Sequence, residues 1–307
     1  MHNASTLRTP RRRRSPNGLF SVKYSTYECP VCRAQLGPGT WAVREGRNVR
    51  CPECSTGPTR NTTPAGGRPH GAVEAAPRAA QGAGPLTERY RPRTLDAIRG
   101  QPDAVRVLRR FAASPYPTAL MFEGETGTGK TTAALSLAEA LGCDLTQKPS
   151  EFGGVCQIAS GEQTADAVRD TYRMMWNCPM FGSGWKVVIV NEADRMNVAA
   201  ETVWLDRLEN IPARTVIVFT TNHLQKLSAR FRDRSTRLTF ESDAGRLRES
   251  VHDLLAAIWK AETGRAPSKK WIAGIVEGAI EDGKVSFRRA VQLLTPLVLI
   301  AGEKGGA

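Results

Sequence analysis

From Pro85 onward, short runs of β-branched and apolar residues alternate with helix-like patterns. Thr118 to Glu123 precedes a helical pattern from Thr131 to Leu141, Val155 to Ala159 precedes Ala165 to Trp176, and Lys186 to Val190 precedes Val198 to Leu208. A last run, Arg214 to Thr221, leads into a short polar helix. Strands separated by helices align in parallel, and a parallel sheet buries both faces under helices. The predicted fold is therefore α/β, with a parallel sheet in a domain over residues 85–241. After Phe240 the strand pattern stops. Helical patterns around 243–262, 267–280 and 286–300 predict a small all-helical lid over residues 242–307.

Upstream of Pro85 the texture is different. Residues 1–18 are polar and basic without periodicity and read as a disordered arm. Residues 19–56 hold aromatic and cysteine residues in short turn-rich segments, and residues 57–84 are rich in Gly, Pro, Ala, Thr and Arg, the composition of a flexible linker.

Charge sharpens this division. The 307 residues carry a formal net charge of +13. Residues 1–84 contain 13 Lys/Arg and 4 Asp/Glu, so most of the excess lies at the N-terminal end and points to nucleic acid or another polyanion as partner. No run has the length and apolarity of a membrane span, and Arg11 to Arg14 are not followed by an apolar segment. Neither a membrane protein nor a secretory signal is expected; the expected location is the cytoplasm or nucleoid.

Four of the seven cysteines form two knuckles, Cys29-Pro-Val-Cys32 and Cys51-Pro-Glu-Cys54, with 18 residues between them. Thiolates at this spacing can occupy the four corners of a tetrahedral zinc site, and the short segment has little else from which to build a core. Two redox-active pairs are the competing reading. Residues 19–56 are expected to form a zinc ribbon. Cys143, Cys156 and Cys178 lack such spacing and read as buried free thiols.

Gly124-Glu125-Thr126-Gly127-Thr128-Gly129-Lys130-Thr131, followed by Thr132, fits the phosphate-loop pattern and directly follows the apolar run Ala119 to Phe122. Glycines let consecutive N–H groups point at phosphate oxygens, and the following helix adds its positive end. Lys130 reaches the β and γ phosphates and Thr131 can ligate Mg²⁺. ATP and Mg²⁺ are thus expected ligands. Val187 to Val190, followed by Asn191-Glu192-Ala193-Asp194, reads as the strand whose end holds Mg²⁺ and orients the attacking water. Glu192 can serve as base, but Asn191 is an amide where a carboxylate is expected.

These residues carry a resemblance. Thr87-Glu-Arg-Tyr90-Arg91-Pro92-Arg-Thr-Leu95-Asp-Ala-Ile98-Arg-Gly100-Gln101 is similar to the segment that opens AAA+ clamp-loader subunits, such as the replication factor C small subunits and the bacterial DNA polymerase III gamma subunit. Ile158-Ala-Ser-Gly-Glu with Val168-Arg169 resembles the region after the family's second strand, and Thr220-Thr-Asn222 its first sensor. Asp233-Arg234-Ser235 resembles its Ser-Arg-Cys trigger, and Ser286-Phe-Arg288-Arg-Ala290-Val-Gln-Leu-Leu294 its second-sensor helix. The resemblance covers about residues 85–300.

It implies an ATPase that couples ATP binding and hydrolysis to loading of a sliding clamp on primed DNA. The implied partners are DNA, the clamp, and other clamp-loader subunits or further copies in a ring. It places Arg91 and Pro92 in the nucleotide site, Asn222 at the γ phosphate, Arg288 over it from the lid, and Arg234 in a neighbouring subunit's site. Arg169 becomes a candidate DNA phosphate contact. Asn191 and Ser235 depart from the family pattern, and only 13 residues follow Leu294, too few for the family's helical collar. Two alternatives stay open: an assembly subunit that binds ATP but hydrolyses it weakly, and another AAA+ DNA remodeller.

Overall fold

The computed structural model describes residues 84–303, together with the backbone of five short strands among residues 19–50. The chain divides into two compact units, Met1–Gly71 and Ala72–Ala307.

In the first unit, β1 (Leu19–Ser21) pairs antiparallel with β4 (Trp41–Glu45), which pairs antiparallel with β5 (Asn48–Arg50). β2 (Tyr27–Glu28) and β3 (Gln35–Leu36) form a separate antiparallel pair. In sequence, Cys29 and Cys32 fall between β2 and β3, and Cys51 follows β5. All four predicted zinc ligands lie outside the described residues, as do the arm 1–18 and the linker apart from Gly84.

The second unit opens with α1 (Leu86–Arg89) and α2 (Pro102–Ala113). There follow β6 (Thr118–Glu123), α3 (Lys130–Ala140), β7 (Val155–Ile158), α4 (Ala165–Met175), β8 (Lys186–Val190), α5 (Val198–Leu208) and β9 (Thr215–Thr221). The short polar helix expected after β9 is a 3₁₀ turn, Leu224–Lys226, followed by α6 (Ala229–Asp233). Then come β10 (Thr236–Thr239), α7 (Ala244–Thr263), α8 (Lys269–Gly278), β11 (Ile280–Glu281), β12 (Lys284–Val285) and α9 (Phe287–Glu303).

The five-stranded sheet is parallel throughout, in the order β10-β6-β9-β8-β7. Successive strand residues point to opposite faces. Leu120, Phe122, Ile189, Val216 and Val218 therefore pack with Val105 and Leu108 of α2 and Ala134 and Leu137 of α3. Met121, Val188, Val190, Ile217 and Phe219 pack with residues of α4, α5 and α6 on the other face. That second face centres on three rings, Trp204 edge-on to Phe219 at 5.1 Å and Phe219 edge-on to Phe231 at 4.8 Å.

Two expectations need correction. β10 was not legible as a strand, because in Thr236-Arg-Leu-Thr239 only Leu238 is buried. The lid is not all-helical either: β11 and β12 form a small antiparallel hairpin, and β12 docks on the hinge through a Val285 N–H bond of 2.9 Å to the Ser242 carbonyl. Two-residue strands are too short for alternation to show.

The lid has its own core. Leu247, Val251, Leu255 and Ile258 line one face of α7 and meet Ile272, Val276, Ala290, Leu294 and Val298. Leu86 and Tyr90 belong to this cluster, so the segment that opens the unit packs on the lid although it lies far away in sequence. Glu262 of α7 fastens it, accepting bonds of 3.0 and 2.6 Å from Arg89 and a further one from the Tyr90 hydroxyl.

Candidate nucleotide-binding site

The site is built at the carboxyl ends of β6, β8 and β9, where side chains leave rigid strands for loops. After β6, Gly124, Gly127 and Gly129 adopt φ of 151°, 76° and 101°, values that L side chains rarely adopt, and α3 begins at Lys130. At Gly124 a Cβ would lie 2.6 Å from the Phe240 carbonyl, so glycine is required there for packing as well. Thr128 ties the loop together by donating to the Glu125 carbonyl at 2.8 Å, while Thr126 is exposed and Thr132 half-buried in the first turn of α3.

Lys130 is buried, and its ammonium donates to the carbonyls of Gly124 and Glu125, both at 2.7 Å, and to Asn222 Oδ1 at 2.8 Å. All three donors are used. Burial pushes its pKa down to about 8, an effect that the carboxylates of Glu125, Asp194 and Glu192 oppose and Arg288 reinforces. The structure thus brings Lys130 and Asn222 together as the motifs imply.

Thr131 and Asn191 also meet. The Thr131 hydroxyl donates to Asn191 Oδ1 at 2.9 Å, which leaves its oxygen lone pairs available to a cation. Glu192 adopts φ 51° and ψ 55°, a left-handed conformation that costs energy for a residue with a Cβ and recurs at functional sites. Its carboxylate accepts from the Ser160 hydroxyl at 2.5 Å and pairs with Arg195 Nε at 2.9 Å.

The lid side contributes Arg288. It is exposed, and a Cβ on Gly127 would lie 3.3 Å from the Arg288 Cβ, so its side chain springs from directly beside the phosphate loop. Lys284 of β12 pairs with Glu125 of that loop. Pro92 lies against α3 through a bond of 3.5 Å from Ser136 to its carbonyl, whereas Arg91 is paired with Glu88 at 2.8 Å. Arg234 ends α6 and is held by Glu209 at 2.6 Å rather than by a residue of the phosphate loop. Arg169 is exposed on α4 and paired with Asp166 at 2.6 Å.

Three residues given no role by sequence enter the site. Asp194 accepts from Thr221 Oγ1 at 2.9 Å and from the Asn222 N–H at 3.2 Å, which fixes the loop that presents Asn222 to Lys130. Ser160 holds Glu192, and Gln101 spans the phosphate loop and the hinge. Asp194 stood within a recognised motif, but its partners are 27 and 28 residues away and no local signal pointed to them. Of the three cysteines read as buried thiols, Cys143 is buried and Cys156 half-buried, but Cys178 is exposed because it lies in the surface segment between α4 and β8. Among the described residues no cluster of His, Cys, Asp and Glu could hold a metal ion, and no helix is long and apolar enough to cross a membrane.

The family model for the DNA polymerase III delta subunit matches residues 100–244. Replication factor C subunit 3 of Blastobotrys adeninivorans is 32% identical over 158 residues, covering 51% of this chain and 45% of that one. A replication factor C small subunit of Sulfurisphaera tokodaii is 34% identical over 155 residues, covering 50% and 46%. The chain thus spans about half the length of the curated relatives it matches. Among solved structures, a Thermotoga maritima RuvB variant superposes with a TM-score of 0.51 at 16% identity, over 70% of this chain and 72% of that one, a likeness of fold. The glycine loop with Asn222 at its lysine thus lies in a stretch of sequence similar to the DNA polymerase III delta subunit model and to replication factor C subunits.

Proposed function

We propose that this chain is a clamp-loader-like ATPase of DNA replication, which couples ATP binding and hydrolysis to the placing of a sliding clamp on primed DNA. The observation that carries the reading is the Lys130 ammonium on three oxygens, one of them Asn222 Oδ1, at the mouth of a glycine loop. Such a lysine is pre-positioned to exchange carbonyls for phosphate oxygens, while the loop N–H groups and the start of α3 take the remaining charge.

Thr131 would hold Mg²⁺, whose charge neutralises the β and γ phosphate oxygens. Asn191 orients the Thr131 hydroxyl but offers the metal only a dipole. Glu192 is the base that orients water, and to act it must exchange its bond with Ser160 for one with that water. Arg288 reaches the nucleotide from the lid. Arg234 completes a neighbouring copy's or subunit's site, exchanging Glu209 for transition-state charge.

The N-terminal unit binds one zinc ion through Cys29, Cys32, Cys51 and Cys54, and with its basic arm it contributes to DNA binding, as does Arg169. The division into arm 1–18, ribbon 19–56, linker 57–84, ATPase 85–241 and lid 242–307 belongs to this reading, as does an intracellular, cytoplasmic or nucleoid location.

The test is ATP turnover by the purified chain, alone and with primer–template DNA plus a sliding clamp. Stimulation by DNA and clamp together is the expected result. Asn191 favours a second reading, an assembly subunit that binds ATP but hydrolyses it slowly. In that case Asn191→Asp accelerates turnover at low Mg²⁺, and an unchanged rate removes this reading's support.

A further inference from the structure

Gln101 is the residue before α2, it is 2% exposed, and its amide is fully committed. Nε2 donates to the Glu241 carbonyl at 2.9 Å and to the Thr128 carbonyl at 3.4 Å, while Oε1 accepts from the Glu241 N–H at 2.8 Å. A side-chain amide that gives and takes at one residue's backbone imitates the partner strand of a sheet. Glu241 is the point where the chain leaves the sheet domain for the lid: Phe240 still bonds to the carbonyl of Glu123, while Ser242 already bonds to β12 and Asp243 caps α7. Thr128 belongs to the phosphate loop. One buried side chain therefore touches the hinge and the loop at once.

Its neighbour strengthens the point. Gly100 has φ +72°, and a Cβ there would lie 2.7 Å from Leu247 Cδ2 and 2.9 Å from Phe287 Cζ, both lid side chains. Phe287 immediately precedes Arg288. The dipeptide thus presses on the lid with its backbone and ties the hinge with its side chain.

We propose that Gln101 is a positioning residue of the nucleotide site: it fixes the Glu241 hinge against the Thr128 loop and thereby sets where the lid delivers Arg288. This inference rests on the reading of the site as nucleotide-binding. It assigns Gln101 no contact with the nucleotide. The amide acts through the arginine, so removing it matters only as far as Arg288 is present.

A double-mutant cycle tests that dependence, with ATP·Mg²⁺ binding to the full chain measured by calorimetry. Gln101→Ala and Arg288→Ala should each weaken binding by about tenfold, and the double variant by about tenfold again rather than a hundredfold, because both remove the same contact. Gln101→Glu keeps the shape and the bond from the Glu241 N–H but loses both donated bonds. It should behave like the alanine variant, and it carries the same cycle if that variant does not fold. Losses that multiply to about a hundredfold overturn the inference, since a merely structural glutamine weakens binding regardless of Arg288. Wild-type affinity in Gln101→Glu also overturns it. Wild-type protein that binds no ATP overturns the proposed function, and the inference with it.

Discussion

The strand ends and the lid border the same phosphate loop, yet they hold their side chains differently. Asn191 and Asn222 stand just beyond the ends of strands locked by parallel ladders, with Glu123 opposite Thr221 and Val190 opposite Phe219, and Lys130 opens the helix after the β6 loop with its ammonium on Asn222. Arg288 depends instead on a few polar contacts across the hinge: Lys284 with Glu125, Val285 with Ser242, and Gln101 with Glu241. The two asparagines sit on the sheet, whereas Arg288 sits on a body with its own core. The difference teaches that the position of Arg288 depends on lid packing and hinge contacts, whereas those of Asn191 and Asn222 rest on the sheet.

Breaking the sheet should have the largest effect. Phe219 is fully buried between Trp204 and Phe231, and Phe219→Ala should cost about 3–5 kcal/mol of stability, read as a lower denaturation midpoint in urea. Next is Lys130→Ala, which should leave the fold intact and weaken ATP binding by about a hundredfold, because charge-assisted bonds to phosphate are lost. Unchanged affinity would mean that the loop amides alone carry the nucleotide.

The same lysine predicts opposed pH trends. Its pKa in the folded chain is about 8 against an ordinary 10.5, so between those values the unfolded chain holds more protons and stability rises with pH. Over the same interval the ammonium is lost, and ATP affinity should fall by up to about tenfold per pH unit above 8. Thermal melts of the ligand-free chain and ATP titrations from pH 7 to 10 would separate the two. Parallel trends would show that another group governs both.

The smallest effect should come from the lid. Tyr90→Phe removes one bond to Glu262 while Arg89 remains, so the loss should be about 1 kcal/mol. It should show in hydrogen exchange of α7 and α9 and leave the sheet unchanged. An equal loss of protection in β6 and β9 would mean that sheet and lid unfold as one body.

The same contrast decided how much was legible in the sequence. β6, β8 and β9 announce themselves because a buried parallel strand must be apolar on both faces, and the phosphate loop because glycine spacing is a local requirement. Lys130 and Thr131 were legible as candidates from that loop, and Glu192 from its place after the apolar run of β8. Gln101 was visible only as part of a resembling segment: its role lies in bonds to Thr128 and Glu241, and the latter is 140 residues away. The packing of Leu86 and Tyr90 on α7 and α9 is likewise a tertiary fact, since a four-residue helix has too few positions to show which surface it will cover. β10 was hidden because an edge strand can leave most of its side chains in water.

The strand order has a consequence for how the protein is made. β6 carries the phosphate loop, but its two neighbours in the sheet, β9 and β10, leave the ribosome only about a hundred residues later. Until then β7 and β8 can pair with each other, while the loop's own strand has both edges bare. Because closing so long a stretch of chain carries an entropic cost before any contact repays it, the centre of the sheet should form late. A chain arrested before Thr215 would carry the whole phosphate-binding motif in its sequence and have no sheet on which to display it.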